Sequence, residues 1–502
     1  MSRGLRVFCF QLKQELKQVR VLILFIILAV FIYSYLEPVA DLAQAAQEQV
    51  SPWAFPHLMN DYICQMVFMV SAVFLFSTAP FEGTAHYYIV QRSGSFSWQL
   101  GNVLYILASS FLFVGFLWVL SVISLLPWTK FSGDWGIIWV TLARTNAGNQ
   151  YGVPFTVYAY IVGVFSPAEA TAISFLLEWA CVAWMGLVVY LFNYITKRMT
   201  GILVASFFVF LDVMIYNSWT PKAYLFSPVT LAQLKAMSGN NLSYGVSLKY
   251  AVVFFAVTIT LFIVICLGQG TILTSEIVHK YKEMGTEKMN DRRIIFKNVS
   301  KTIGDQTILK DISLEIPERG IYGIVGRNGS GKTVFVKCLC GFMPVTEGEI
   351  WVGEKQVGRD VEFVEDIGFV IETPGFLPRE SGFRNLRYLA SIRNVVGKER
   401  IRECITMVGL DPDDKKWVGK YSLGMRQRLG IAQAIMENPD LIILDEPMNG
   451  LDNHGVEEIR KLLLGLREEG KLILIISHNR EDINLLCDRV YEMDMGALTQ
   501  VR

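Results

Sequence analysis

A chain of 502 residues is too long for one ordinary hydrophobic core, so two or more domains are expected. Its 46 basic and 46 acidic residues cancel, which removes the electrostatic case for nucleic acid as the main partner. The charges are unevenly placed, with about 25 of them in the first 280 positions and about 67 in the last 222, so an apolar front half precedes an ordinary soluble back half. The eight cysteines form no C-x-x-C pair and no zinc spacing. Cys338 and Cys340, one residue apart, read as buried packing in a reduced compartment.

The chain opens with Arg3, Arg6, Lys13, Lys17 and Arg20 interleaved with Leu5, Val7, Phe8, Phe10, Leu12 and Leu16. That pattern is a basic amphipathic helix lying on the inner membrane surface. Residues 21–36 follow, uncharged and just long enough to cross if the flanks snorkel. A cleaved signal peptide is the rival reading, with Ala43-Gln44-Ala45 as processing site; the spans downstream favour an uncleaved first span.

Further spans are expected at 62–81, 103–128, 171–194, 201–216 and 250–267. Six crossings return the chain to its starting side. Arg92 and Lys197-Arg198 then fall inside, as positive charge should, while Lys222, Lys235 and Lys249 fall outside and count against it. Residues 151–165 are apolar too. A seventh crossing would put the back half on the wrong side of the membrane, so this stretch is expected to be re-entrant or interfacial. Two carboxylates, Glu178 and Asp212, stand inside spans toward the outer leaflet. Charge at that depth usually faces a bundle interior or a wet cavity, so the pair marks either a site for something cationic or two locally partnered groups. Between the second and third spans, Glu82 and Arg92 mark an inside segment, either a short helix touching the soluble domain or a solvated loop. The polar stretch 276–293 reads as a linker, and 271–282 prolongs the sixth span as a helix. The expected domains are 1–275, all-α with six spans, and 294–502, an α/β phosphate-loop domain.

The back half begins as strand, turn and strand. Gly320-Ile321-Tyr322-Gly323-Ile324-Val325 is a buried-strand pattern, and Gly326-Arg327-Asn328-Gly329-Ser330-Gly331-Lys332-Thr333 follows it, leading into a helix. Strand, glycine loop and helix make an anion cradle, because successive backbone N–H groups and a helix N-terminus converge on phosphate. Lys332 is placed to reach the β- and γ-phosphates and Thr333 to hold Mg²⁺. Leu441-Ile442-Ile443-Leu444 is a parallel-strand run ending in Asp445 and Glu446. There Asp445 can hold Mg²⁺ through water and Glu446 can polarise the attacking water as general base. A second such strand, 472–476, leads through Ser477 to His478, a candidate γ-phosphate or water contact.

Two further segments carry a resemblance. Tyr421-Ser422-Leu423-Gly424-Met425, followed by Arg426-Gln427-Arg428-Leu429, stands after the phosphate loop and before the carboxylates, and Asn449-Gly450-Leu451-Asp452 stands after them. In motif order and spacing, residues from about 291 to the end resemble the nucleotide-binding domain of an ABC transporter. The resemblance implies ATP and Mg²⁺ as cofactors and a head-to-tail dimer in which Ser422 and Gly424 of one copy close over ATP held by the other.

The chain departs from the family pattern at three places. Glu372, in Ile371-Glu372-Thr373-Pro374, replaces the Gln of many members; it remains an oxygen ligand for Mg²⁺ but adds a charge. That substitution is similar to bacterial transporters of lantibiotics, bacitracin and related peptides. Ile303 stands where an adenine-stacking aromatic is expected. The signature opens with Tyr421 and ends in Met425, sparing the Ser and Gly that would meet phosphate.

The front half resembles the six-span permeases of type-two ABC exporters. Together these resemblances imply a multi-pass plasma-membrane protein with its ATPase domain in the cytoplasm, a dimer with a second half-transporter, an identical chain before a different partner, and membrane lipid as surroundings. The expected function is ATP-driven export of a peptide or other amphipathic molecule. A lipid or drug exporter and an ATP-powered mechanical transducer are the alternatives, and the short outer loops count against the transducer.

Overall fold

In hydrocarbon a backbone must satisfy its own N–H and C=O groups, so apolar stretches of spanning length should be helical. In a computed structural model each of the six is helical over most of its length. The structure describes residues 2–83, 85–218, 221–237, 245–281, 293–317, 319–372 and 374–502, with side chains except at 221, 222 and 269–281. Thr373, most of the expected linker and Asn241-Leu242-Ser243, which in sequence has the pattern of a glycosylation acceptor, lie outside the described residues.

The helices of the front half include α1 (Arg3–Leu16), α2 (Val19–Ala46), α3 (Tyr62–Leu75), α4 (His86–Ser93), α5 (Ser95–Ile123), α6 (Pro167–Thr196), α7 (Thr200–Tyr216) and α8 (Leu248–Tyr281). Four of them, α2, α5, α6 and α8, are long and apolar enough to cross a membrane. The other two expected spans are apolar but shorter, α3 with 14 residues and α7 with 17. At about 1.5 Å per residue, α3 reaches about 21 Å against a core of about 30 Å. The expected span 62–81 is thus helical only over its first part. In contrast, α2 runs past Leu36 through Glu37, Pro38 and Asp41, and ends where Gln47 turns left-handed at φ 57°. Residues 151–165 hold one short helix, Ala159–Val164, far below crossing length.

The chain divides into two units, one of residues 8–81 and 100–267, the other of residues 1–7, 82–99 and 268–502. The first is a helical bundle whose interior includes Leu28, Ile32, Phe68, Phe113, Trp139 and Tyr190. Within it, Arg20 ties the start of α2 to the end of α3. Its guanidinium pairs with Glu15 at 2.6 Å and donates to Ser77 Oγ at 2.8 Å and Thr78 Oγ1 at 2.7 Å. Geometry, rather than simple surface attraction, thus fixes part of the basic entry segment.

The second unit holds two sheets. Strands β1 (Ile294–Ile303), β2 (Gln306–Ile316), β4 (Glu347–Val352) and β5 (Lys355–Gln356) form an antiparallel sheet in the order β2-β1-β4-β5. The six-stranded sheet has the order β10-β9-β3-β8-β7-β6, from β3 (Gly320–Val325), β6 (Ile367–Val370), β7 (Leu441–Asp445), β8 (Leu472–Ile476), β9 (Arg489–Asp494) and β10 (Ala497–Gln500). Every residue of β3, β6, β7 and β8 is buried, the condition in which parallel strands read as unbroken apolar runs. The helices of this unit are α9 (Lys332–Leu339), α10 (Gly382–Arg393), α11 (Lys398–Met407), α12 (Leu423–Ile435), α13 (Asn453–Glu468) and α14 (Arg480–Leu486). Cys338 on α9 and Cys340, which caps its C-terminus, are both buried, as expected.

Helix α4 belongs to this second unit although it lies between two apolar helices in sequence. Of the two readings of that segment, the docked helix is correct. Tyr88 stacks on Phe369 of β6, with ring centres 4.8 Å apart and planes at 11°. Arg92 pairs with Glu437 at 3.1 Å, both nearly fully buried, and Gln91 donates to the Val364 carbonyl at 3.0 Å. Arg393, at the end of α10, shares Glu437 at 3.4 Å. From the N-terminal segment, Arg6 donates to the Ser391 and Ile392 carbonyls at 3.3 and 3.1 Å, where α10 leaves backbone acceptors unsatisfied.

Candidate functional site

Strand register brings the site together. Ile324 of β3 lies level with Ile476 of β8, Ile476 with Asp445 of β7, and Leu444 of β7 with Val370 of β6. The residues that follow these strands therefore emerge along one carboxyl edge of the sheet: Gly326, Ser477 and His478, Glu446, and Ile371 and Glu372. Ligands of open α/β sheets bind at this edge.

The phosphate loop is shaped by glycine and closed by lysine. Gly326 has φ 158°, and a Cβ there would lie 2.3 Å from the Met493 carbonyl, so no other residue fits without moving β9. Lys332 curls back so that its ammonium donates to the Gly326 and Arg327 carbonyls at 2.7 and 2.8 Å. Beside it, the Ser330 hydroxyl is buried and has no hydrogen-bond partner among the described residues. A buried orphan hydroxyl, a lysine held by loop carbonyls and the N-terminus of α9 suit a polyphosphate. Thr333 occupies the second position of α9, and Asn328 and Gly329 lie in the loop between Arg327 and Ser330.

The carboxylates sit opposite. Asp445 is buried at the end of β7 and accepts the Glu372 N–H at 3.4 Å. Burial raises its pKa above the ordinary aspartate value, and the neighbouring Glu446 charge adds to this; the Glu372 N–H and Lys332 oppose it. Glu446 adopts a left-handed backbone, φ 50°, uncommon for a residue with a long side chain. Several hydrogen bonds hold it there. Its N–H donates to the Ile476 carbonyl at 2.8 Å, and its own carbonyl accepts from Gln427 Nε2 at 3.1 Å. Its carboxylate accepts from Ser477 Oγ at 3.1 Å and from the His478 N–H at 3.0 Å. The His478 ring is also directly on it, Nδ1 to Oε1 at 2.7 Å, while 69 % of the histidine side chain stays exposed. A carboxylate clamped in this way beside a phosphate cradle can act as an oriented base toward water.

The oxygens of Thr333, Asp445 and Glu372 are a hard donor set of the kind Mg²⁺ takes. No group of three or more His, Cys, Asp or Glu side chains among the described residues could hold a metal alone. Glu372 itself is turned toward Lys337, with Oε1 2.8 Å from Nζ, an ion pair the sequence analysis did not anticipate.

The remaining expected residues are dispersed. Ile303, at the end of β1, is an exposed aliphatic surface. Ser422 caps α12, its Oγ accepting from the Met425 N–H at 3.1 Å. A Cβ on Gly424 would lie 2.5 Å from the Gly450 carbonyl, so the signature glycine is also required by packing within the chain. No hydrogen bond among the described residues joins Ser422 or Gly424 to the phosphate loop. In the other unit, Glu178 is fully buried and accepts from Gln65 Nε2 at 3.0 Å, with its other oxygen unpartnered among the described residues. Asp212 is buried and accepts from Thr230 Oγ1 at 2.5 Å and from Gln233 Nε2 at 3.3 Å. An apolar cavity of about 580 Å³ in that unit is lined by Trp53, Trp118, Val122, Ile123 and Phe131 among others, and by neither carboxylate.

Sequence reasoning missed Gln427, Ser477, Lys337 and Tyr88. Gln427 lies in a quoted motif without a role, and Ser477 directly precedes His478. A carboxylate beside phosphates, as at Glu372, calls for a nearby cation, which is the signal for Lys337.

Residues 309–449 match the ABC transporter family. The ABC transporter ATP-binding protein YybJ of Bacillus subtilis is 41% identical over 201 residues, 40% of this chain and 92% of the relative. The bacitracin transport ATP-binding protein BcrA of Enterococcus faecalis is 39% identical, over 41% of this chain and 67% of the relative. The lantibiotic transport ATP-binding protein SrtF of Streptococcus pyogenes is 36% identical, over 38% of this chain and 82% of the relative.

Proposed function

The chain belongs to the ABC transporter family, and from that premise we propose that it exports a peptide or other amphipathic molecule across the plasma membrane. Its ATPase domain hydrolyses ATP, and ATP drives transport. The reading of the site rests chiefly on one observation, Glu446 clamped by His478 at 2.7 Å on the strand edge that also carries the phosphate loop. The loop N–H groups and Lys332 bind the phosphates. Glu446 takes the proton of the attacking water, and His478 and Ser477 keep its carboxylate aimed. Bound Mg²⁺ supplies neutralising charge at the phosphates. Ser422 and Gly424 complete the site of a second, identical chain, so that nucleotide binding favours the closed dimer and hydrolysis releases it.

Motion would leave the ATPase domain through α4. Tyr88 and Arg92 hold that helix on Phe369 and Glu437, and α5 starts at Ser95, directly after Gly94. Domain limits of 1–275 and 294–502 suit this division of labour. Peptide antibiotics are the first substrates to try, because relatives carry bacitracin and lantibiotic transport in their names and this chain has Glu372 in place of Gln.

One observation favours the second reading, an apolar or lipid-like substrate. Glu178 is engaged by the neutral Gln65, and Asp212 by Thr230 and Gln233 with the Lys235 charge beside it, whereas the 580 Å³ cavity is almost wholly apolar. Paired substitution separates the two. If the carboxylates bind a cationic cargo, Glu178→Gln and Asp212→Asn each change substrate stimulation and leave basal ATPase alone. If cargo lies in the apolar cavity, Trp118→Ala changes it and the carboxylate variants do not.

A further inference from the structure

Glu372 presents an electrostatic problem. Asp445 and Glu446 already place two carboxylates on this sheet edge, and the Glu372 N–H lies on Asp445 at 3.4 Å, which brings a third beside them. A third negative charge beside phosphates repels them unless something neutralises it. The neutralising group comes from α9, the helix that begins at Lys332. Lys337 Nζ lies 2.8 Å from Glu372 Oε1. The same ammonium is 5.5 Å from the centre of the Tyr87 ring, and Tyr87 on α4 rests against Phe342 at 4.8 Å.

The two partners are unequal. The Lys337 side chain is 17% exposed and pinned by the aromatic face, whereas the Glu372 side chain is 58% exposed. The lysine is the fixed half and the carboxylate the half that can leave. Exposed ion pairs are weak, so a divalent cation can take the carboxylate from it. We propose that Lys337 is the resident counter-ion of Glu372, competing with the divalent cation for that carboxylate and thereby setting the metal affinity of the nucleotide site. Lys337 is in this sense a positioning residue, acting on the reaction through Glu372. The inference rests on the reading of Glu372 as a metal-site residue.

The test measures metal binding rather than turnover. The full chain in detergent, loaded with a non-hydrolysable ATP analogue, is titrated with Mn²⁺, and free Mn²⁺ is read by electron paramagnetic resonance. Lys337→Met should lower the half-saturating Mn²⁺ concentration about two- to fivefold, the range of a partly exposed ion pair, and Lys337→Arg should restore the native value. In a Glu372→Gln background, Lys337→Met should change nothing. An unchanged or weakened Mn²⁺ affinity in Lys337→Met overturns the proposal, as does the same shift with and without Glu372. If Glu372→Gln alone leaves Mn²⁺ affinity untouched, the placement of Glu372 at the metal fails and the inference falls with it. Thermal unfolding of each variant checks that a change in affinity is not a loss of fold.

Discussion

Glu446 sits in a backbone conformation that costs of order 1–3 kcal/mol for a residue of its kind, and its hydrogen bonds, with Gln427, Ser477 and His478 among the donors, offset that cost. Substitution by Gln keeps the shape and removes the base. Glu446→Gln should therefore bind ATP with near-native affinity and turn it over at least about 100-fold more slowly. Comparing equilibrium nucleotide binding with single-turnover phosphate release checks both halves. Asp445 behaves differently because it is buried. Burial, reinforced by the Glu446 charge, raises its pKa, so its stabilising effect is complete below the unfolded value of about pH 4 and is lost as pH rises through the folded one. Asp445→Asn should thus raise the unfolding temperature of the nucleotide-free chain at pH 7, and the gain should shrink toward pH 4. A gain independent of pH would mean that ionisation of Asp445 is not its source. At this scale the sequence was legible where spacing defines chemistry, as at Lys332, Asp445 and Glu446. It was not legible at Gln427 or Lys337, whose roles depend on which neighbour a side chain meets after folding.

Helix α4 is the element whose role most needed the structure. Its sequence, with Tyr87, Tyr88 and Arg92 in a short inside segment, fits a solvated loop equally well; the partners Phe369, Glu437 and Phe342 lie hundreds of residues away. Arg92 and Glu437 are both buried, and removing one member of such a pair leaves the other charge uncompensated. Arg393 still reaches Glu437, so Arg92→Ala should sit near the low end of such losses, about 3 kcal/mol. Hydrogen exchange localises the effect. Amides of 86–93 should lose protection while those of β7 and β8 keep theirs; a uniform loss across the sheet would assign Arg92 to global stability. The spanning elements show the complementary limit. Apolar composition located all six helices but misjudged their ends, since α3 stops at Leu75 and α2 continues to Ala46. Composition reports the solvent an element tolerates, while caps such as Gln47 decide where it ends.

For the whole molecule, the division into an apolar helical part and an α/β ATPase follows from the uneven placement of charge, and the order of motifs identified the second part. That segments 1–7 and 82–99 fold with the ATPase unit was not legible, because their partners there lie far along the chain. The central claim is that ATP hydrolysis at Glu446 moves a substrate across the membrane. The measurement that tests it most directly uses inside-out proteoliposomes of the full chain, with a labelled peptide antibiotic outside and Glu446→Gln as control. Transport by this route requires Mg²⁺ and ATP, enriches the peptide in the lumen, and is absent in Glu446→Gln. Vigorous ATP hydrolysis with no lumenal enrichment, or equal enrichment in Glu446→Gln, would contradict the account.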